Sequence, residues 1–235
     1  MTTPPPGRAS STERPPRVAQ GGPPLGILAV VFTVLFVAGV VISAALAGKT
    51  PPSPFSAQDD IVRYFAGEHT AVRVSAFFQF GAAVPLGIYA ATASARLHNL
   101  GIRAPGATIA LMGGVVAAIM QALSGLVSWT LSEPAVTGDA ALVRALHYLG
   151  FALGGPGHVV FLGLLLAGMA VPALIIGLLP RWLAIAGLVL AAIAELSTLT
   201  LLLEGAAYLL PIARFFGFAW LIAAGFLLPL TRRQA

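Results

Sequence analysis

Charge in this 235-residue chain is confined almost entirely to the gaps between long apolar runs. Two residues break the rule, Glu195 and Arg214, each lying inside a run. Only 9% of residues are Asp, Glu, Lys or Arg, against about 25% in an ordinary soluble domain. A run of about 20 apolar residues matches the ~30 Å hydrocarbon thickness of a bilayer. Inside that slab the backbone must satisfy its own hydrogen bonds, and a continuous apolar run does so as a helix. The pattern predicts an all-α fold: a polytopic membrane helix bundle with six transmembrane helices and a short outer interfacial helix between spans 1 and 2.

The division follows the same pattern. Residues 1–23 are rich in Pro, Ser and Thr and carry Arg8, Arg14 and Arg17. With no hydrophobic face, they read as a disordered cytoplasmic tail. Residues 24–232 then form the six-span domain. The first span is Leu25–Ala47. Its last residues, Ala45-Leu46-Ala47, have the small-x-small form of a signal-peptidase site. A run of 23 residues exceeds the roughly 7–15 of a signal h-region, so a retained span is expected; cleavage would leave five. The second and third spans cover about 71–95 and 105–130. The fourth ends near Leu179 and starts between Leu142 and His158; the fifth covers 182–203 and the sixth 206–230.

With this threading, Arg8, Arg14, Arg17, Arg96, Arg103, Arg181, Arg232 and Arg233 share one face of the membrane. The other face has Lys49, Arg63, Arg73 and Arg144, together with most of the acids. The positive-inside rule puts both termini in the cytoplasm. Twelve Arg against one Lys, with abundant Ala and Gly, point to a bacterial chain in the plasma membrane. The scattered arginines form no nucleic-acid patch. Without cysteine, disulfides, thiolate metal sites and Cys nucleophiles are excluded.

The largest outer connection, 48–70, carries the short helix. Ser56-Ala57-Gln58-Asp59 has the Ser-x-x-acid form of an N-cap, and Asp59 and Asp60 suit the positive end of the helix dipole. Gly67 is placed to stop it. Its plain role is to plug the bundle mouth; a lid or receptor role is the alternative.

Depth can be counted at about 1.5 Å per helical residue. Gln79, Gln121, Glu195 and Arg214 each lie eight or nine residues from the outer end of their span, about 12–14 Å deep. Gln121 shares its helix face with Gly114, Ala117, Ala118, Ser124, Gly125 and Ser128. Gln79 has Ser75, Ala76, Ala82 and Ala83 beside it, Glu195 has Gly187, Ala191, Ala192 and Thr198, and Arg214 has Ala207, Pro211 and Gly217. Small residues allow close packing in lipid, so these faces are expected to point inward. One reading is a structural Glu195–Arg214 ion pair, helped by Gln79 and Gln121. The other is a polar pocket or proton path, since ionisable groups at membrane depth mark such sites.

The fourth span contains Gly154-Gly155-Pro156-Gly157-His158, a candidate helix break. Broken helices at membrane depth face protein or water. His147 and His158 would share a face on an unbroken helix, but the break removes that alignment. His69 and His147 both lie near the outer surface, and His98 in a cytoplasmic turn. A haem would need two imidazoles on facing helices at equal depth, and the sequence pairs none. No cofactor and no metal are expected.

Phosphate loops, His-Glu-x-x-His and Gly-x-Ser-x-Gly are absent, so no catalytic residues are assigned. Residues 161–203, with Gly163 and Gly168 leading to Leu179-Pro180-Arg181-Trp182-Leu183 and Gly187, resemble a bacterial family of six-helix membrane proteins of unknown function. The stretch from Pro211-Ile212-Ala213-Arg214 through Trp220-Leu221-Ile222 to Gly225-Phe226 is similar to it as well. The resemblance implies the fold and no activity. The function expected is a non-enzymatic bundle in the lipid bilayer that binds a lipid, a small apolar ligand or a membrane protein partner. A small-solute or proton-coupled transporter using Glu195 and Arg214 is the alternative, and an intramembrane enzyme the third.

Overall fold

The computed structural model of the chain describes residues 22–230. Nearly all of the expected tail, with Arg232 and Arg233, lies outside them. Among the described residues every element is helical and there is no strand. Six helical stretches are long and apolar enough to cross a membrane: Leu25–Ala47, His69–Asn99, Gly106–Leu131, Ala140–Ile176, Arg181–Leu201 and Glu204–Leu227. The chain is a multi-pass membrane protein.

The first span is α1 (Leu25–Ala47), followed by the short α2 (Gln58–Gly67), α3 (His69–Asn99) and α4 (Gly106–Leu131). A single turn, α5 (Pro134–Thr137), leads into the fourth span. That span is composite, with α6 (Ala140–Ala152), a π-helical turn (Leu153–Gly157) and α7 (His158–Ile176). It starts two residues before the expected range. Asp139 explains the start, because its carboxylate accepts the N–H groups of Ala141 (2.9 Å) and Leu142 (3.1 Å) and satisfies two orphan donors of the first turn. The fifth span is α8 (Arg181–Leu196) with a 3₁₀ extension, Ser197–Leu201; the sixth is a 3₁₀ segment, Glu204–Tyr208, followed by α9 (Leu209–Leu227).

The spans form a closed ring. Each packs on its neighbour in sequence, α1 on α3, α3 on α4, α4 on α7, α7 on α8 and α8 on α9, and α9 returns to α1. The short connections after α3, α4, α7 and α8 make those neighbours antiparallel. The outer surface is apolar, with Phe77 72% and Ile175 78% exposed. A surface of that kind is unsustainable in water and natural against lipid tails. Inside, Phe32 meets the rings of Tyr89 (6.0 Å) and Phe218 (5.2 Å) edge-on. Tyr89 donates its hydroxyl to the Leu221 carbonyl at 3.1 Å, and Trp220 donates Nε1–H to the Leu183 carbonyl at 2.7 Å.

Lipid tails are as apolar as leucine, so helices in a bilayer gain contact by close approach rather than by leaving water. Small residues permit that approach here. A Cβ on Gly113 would stand 2.7 Å from the Leu165 nitrogen and 2.8 Å from the Phe161 carbonyl. A Cβ on Gly168 would stand 2.7 Å from the Gly106 carbonyl and would strike the Ala110 nitrogen. Backbone therefore rests on backbone at two points between α4 and α7.

At one end of the ring, α2 buries Ile61, Tyr64 and Phe65 against Val72 of α3, Leu131 of α4 and Val143 of α6. Its N-cap is Ala57, with no side-chain cap bond, in place of the expected Ser56. The N–H groups of Asp60 and Ile61 both turn to the Ala57 carbonyl, while the Ser56 N–H is held by Ser53 in the preceding turn. The helix ends at Gly67, with only Glu68 before α3. Ion pairs Lys49–Glu68 (3.4 Å) and Arg73–Glu133 (3.0 Å) lie at this end.

Candidate ligand-binding cavity

The bundle carries an open-mouthed cavity of about 410 Å³ at the α2 end. Its walls come from α1 (Phe36, Val40), α3 (Val72, Ser75, Gln79), α4, α6 (His147, Gly150, Phe151) and α9 with the preceding turn (Ala207, Leu210, Pro211, Arg214, Phe215). Tyr64 and Phe65 of α2, with Pro51, Pro52 and Pro54, complete it. From α4 come Leu131, Ser128, Ser124 and Gln121, spaced three and four apart as one helical stripe. The ten residues from Leu131 to Gln121 make the cavity about 15 Å deep.

The deep end is built by the Gly-Gly-Pro-Gly run. Pro156 has no N–H to give, and Gly155 leaves the helical region at φ −82°, ψ −107°. Across this kink the His158 N–H bonds the carbonyls of Leu153 and Gly155, which skips Gly154. The Gly154 carbonyl is thus without its helical donor. Arg214 of α9 takes it, donating from Nη2. The kink and the arginine are two halves of one contact. Gly154 also lets α4 approach, since a Cβ there would lie 3.0 Å from the Ser124 Cβ. Ser124 in turn donates to the Gly150 carbonyl at 2.9 Å. The Arg214 guanidinium carbon sits 5.2 Å from the centre of the Phe36 ring, within cation–π range. Its Nε is buried without a partner among the described residues.

Gln121 is 3% exposed, and among the described residues neither its amide nitrogen nor its oxygen has a hydrogen-bond partner. Gln79 donates to Ser75 at 2.9 Å. Three of the four expected layer residues, Gln79, Gln121 and Arg214, therefore line one cavity. Glu195 does not. It is exposed on the flank of α8, with Oε1 3.6 Å from where a Cβ on Gly163 of α7 would stand. No part of α8 lines the cavity.

The expected Glu195–Arg214 ion pair is not formed; the ion pairs among the described residues are Lys49–Glu68, Arg63–Asp60 and Arg73–Glu133. Depth counting assumed α-helix on both sides of Glu204. The 3₁₀ segments there advance about 2.0 Å and turn a third of a revolution per residue, so register is lost across the turn. The buried stripe of α8 runs Ala184, Gly187, Ala191, Ala194, which leaves Glu195 one residue round from it, beside exposed Ala192 and Thr198. A Glu195→Gln protein is expected to keep its thermal stability within about 0.5 kcal/mol, as for a surface change with no partner. A loss of several times that in detergent unfolding would show that Glu195 has a partner after all.

The histidines are dispersed. His158 is fully buried, with Nδ1 3.0 Å from the Ala117 carbonyl and its ring edge-on to Phe218. It lies behind the cavity, in the core. His147 lines the cavity, with Nε2 3.2 Å from the Pro52 carbonyl. His69 pairs with the Ser132 carbonyl and His98 with that of Ser94. Among the described residues no group of three or more His, Asp or Glu could hold a metal ion.

Sequence reasoning did not assign Phe36, His147 or the Pro51–Pro54 segment to a site. The apolar members have no signal that separates them from core or lipid-facing positions. No protein-family profile, curated protein or solved structure matches the chain.

Proposed function

We propose that this multi-pass membrane protein is a non-enzymatic binding protein that takes a small, lipid-like ligand into the cavity at its α2 end. The observation that carries the reading is the Gln121 amide, buried at membrane depth on the cavity wall with both polar atoms unpartnered among the described residues. An unpaired buried amide costs several kcal/mol in an apolar medium, and a ligand that bonds it offsets that cost. The volume falls within the range of small-molecule sites, about 300–1,000 Å³, and the lining is mostly apolar with a few convergent polar groups. The arginine distribution supports a threading with both termini in the cytoplasm of a bacterial cell, and with it a cavity mouth on the outer side of the plasma membrane. The transport alternative drew on Glu195 as well as Arg214, and Glu195 stands outside the cavity.

Ser128 lies on the wall between mouth and floor, so Ser128→Phe fills the passage without touching Gln121 or Arg214. Wild-type protein equilibrated with a ten-carbon amphiphile in non-ionic detergent is expected to retain it in native mass spectrometry. The Ser128→Phe protein, with unchanged helical circular dichroism, is expected to lose most of that retention. Equal retention by both would place the bound molecules on the outer surface and end the cavity reading.

A further inference from the structure

The floor of the cavity carries a positive charge that no carboxylate of the described residues meets. We infer that the ligand is an amphipathic carboxylate, a single apolar chain whose anionic head lies against Arg214 and Gln121; this rests on the cavity being a ligand site. A guanidinium does not deprotonate in proteins, so the charge stays. Its present partners are the Gly154 carbonyl and the face of the Phe36 ring, and its Nε has none. A buried charge compensated only by dipoles remains costly.

The acids among the described residues are all engaged or placed elsewhere. Asp60, Glu68 and Glu133 pair with cations, and Asp139 caps α6. Asp59, Glu195 and Glu204 are exposed outside the cavity.

A carboxylate fits what the floor offers. It accepts from both a guanidinium and an amide N–H, and these are the donors that Arg214 Nε and Gln121 leave unused. Shape decides the rest of the molecule. A volume of about 410 Å³ spread over about 15 Å of depth gives a cross-section of about 27 Å², one chain wide. At about 30 Å³ for each water-sized group it holds roughly a dozen heavy atoms. The walls above the floor present Phe215, Leu210, Phe151 and Val72, which would be left without contact by a bare inorganic anion. A medium-chain carboxylate inserted head first satisfies both ends.

Decanoate and decanol share a chain and differ in charge, so they make the test, with wild-type protein in non-ionic detergent and affinity read by titration. Decanoate is expected to bind at least tenfold more tightly than decanol, as a charged hydrogen-bonded head implies. Gln121→Leu and Arg214→Gln are each expected to weaken decanoate about tenfold and leave decanol unchanged; Gln121→Leu serves if Arg214→Gln does not fold. If the two probes bind equally and Ser128→Phe blocks both, the carboxylate assignment falls while the cavity remains a binding site. If neither binds, both readings fall. Displacement of decanoate by chloride at comparable concentration would overturn the amphiphile and leave a simple anion site.

Discussion

Gly168→Ala is expected to destabilise the protein by about 3 kcal/mol, the upper part of the range for overpacking a tight interface. The added methyl would lie 2.7 Å from the Gly106 carbonyl and 2.8 Å from the Ala110 Cα, in addition to striking the Ala110 nitrogen. All three are backbone atoms of one α4 turn, so no side chain can swing aside. Relief requires α4 and α7 to separate, and their second contact, at Gly113, would open with the first. In a bilayer no gain in apolar burial compensates, because lipid already solvates the separated faces. Gly81→Ala is the matched control: it lies within α3 and has nothing within 4 Å of the added atom. There the removal of a helix-interior glycine is worth roughly 0.5–1 kcal/mol in favour of the variant. Unfolding by a graded detergent series, followed by circular dichroism, compares the two. A Gly168→Ala protein as stable as Gly81→Ala would mean that the α4–α7 contact is looser than the structure shows.

Six spans and their order were legible because each was stated many times over, in some 20 apolar residues and in the gaps between them. The α4 stripe was legible for the same reason. Gln121, Ser124 and Ser128 recur at helical spacing on one face with Gly114, Ala117, Ala118 and Gly125, and the structure puts Gln121, Ser124 and Ser128 on the cavity wall. Repetition along one helix survives small errors of register.

The Glu195–Arg214 relation had no such support. It depended on equal counts across a single turn, and two 3₁₀ segments change both rise and rotation there. Composition around Glu195 was also ambiguous, since α8 has small residues on two faces and only packing against α7 and α9 chooses between them. The partner that Arg214 does find is a main-chain carbonyl. No residue type announces a free carbonyl, and the Gly-Gly-Pro-Gly run announced only a break. That the break would liberate the Gly154 oxygen, and that a residue 60 positions away would take it, required the ring to be closed.

Reversing the charge at that contact is expected to have the largest effect of any substitution on the cavity floor. In Arg214→Glu, a carboxylate would face the Gly154 carbonyl, and an ionised carboxylate has acceptors only. Two acceptors would then confront each other where a donor now bridges α9 to the kink. Among the described residues no cation lines this end of the cavity other than Arg214 itself, so the new charge would also be unpaired. Burying an unpaired charge costs about 3–5 kcal/mol, and the orphaned carbonyl adds about 1–3 kcal/mol. Those sums rival the whole stability of a typical domain, about 5–15 kcal/mol, so little folded protein is expected on extraction. Protonation of the new carboxyl restores a donor and removes the charge, so Arg214→Glu is expected to regain monodisperse behaviour in size-exclusion chromatography as pH is lowered. The sign follows from burial: the buried site tolerates the neutral carboxyl better than the ionised one, so stability is lost as pH rises and the group ionises. Arg214→Leu separates the two costs, because it orphans the Gly154 carbonyl without burying a charge, and it is expected to fall between Arg214→Glu and wild type. Equal stability of Arg214→Glu and wild type at neutral pH would show that Arg214 does not hold the kink.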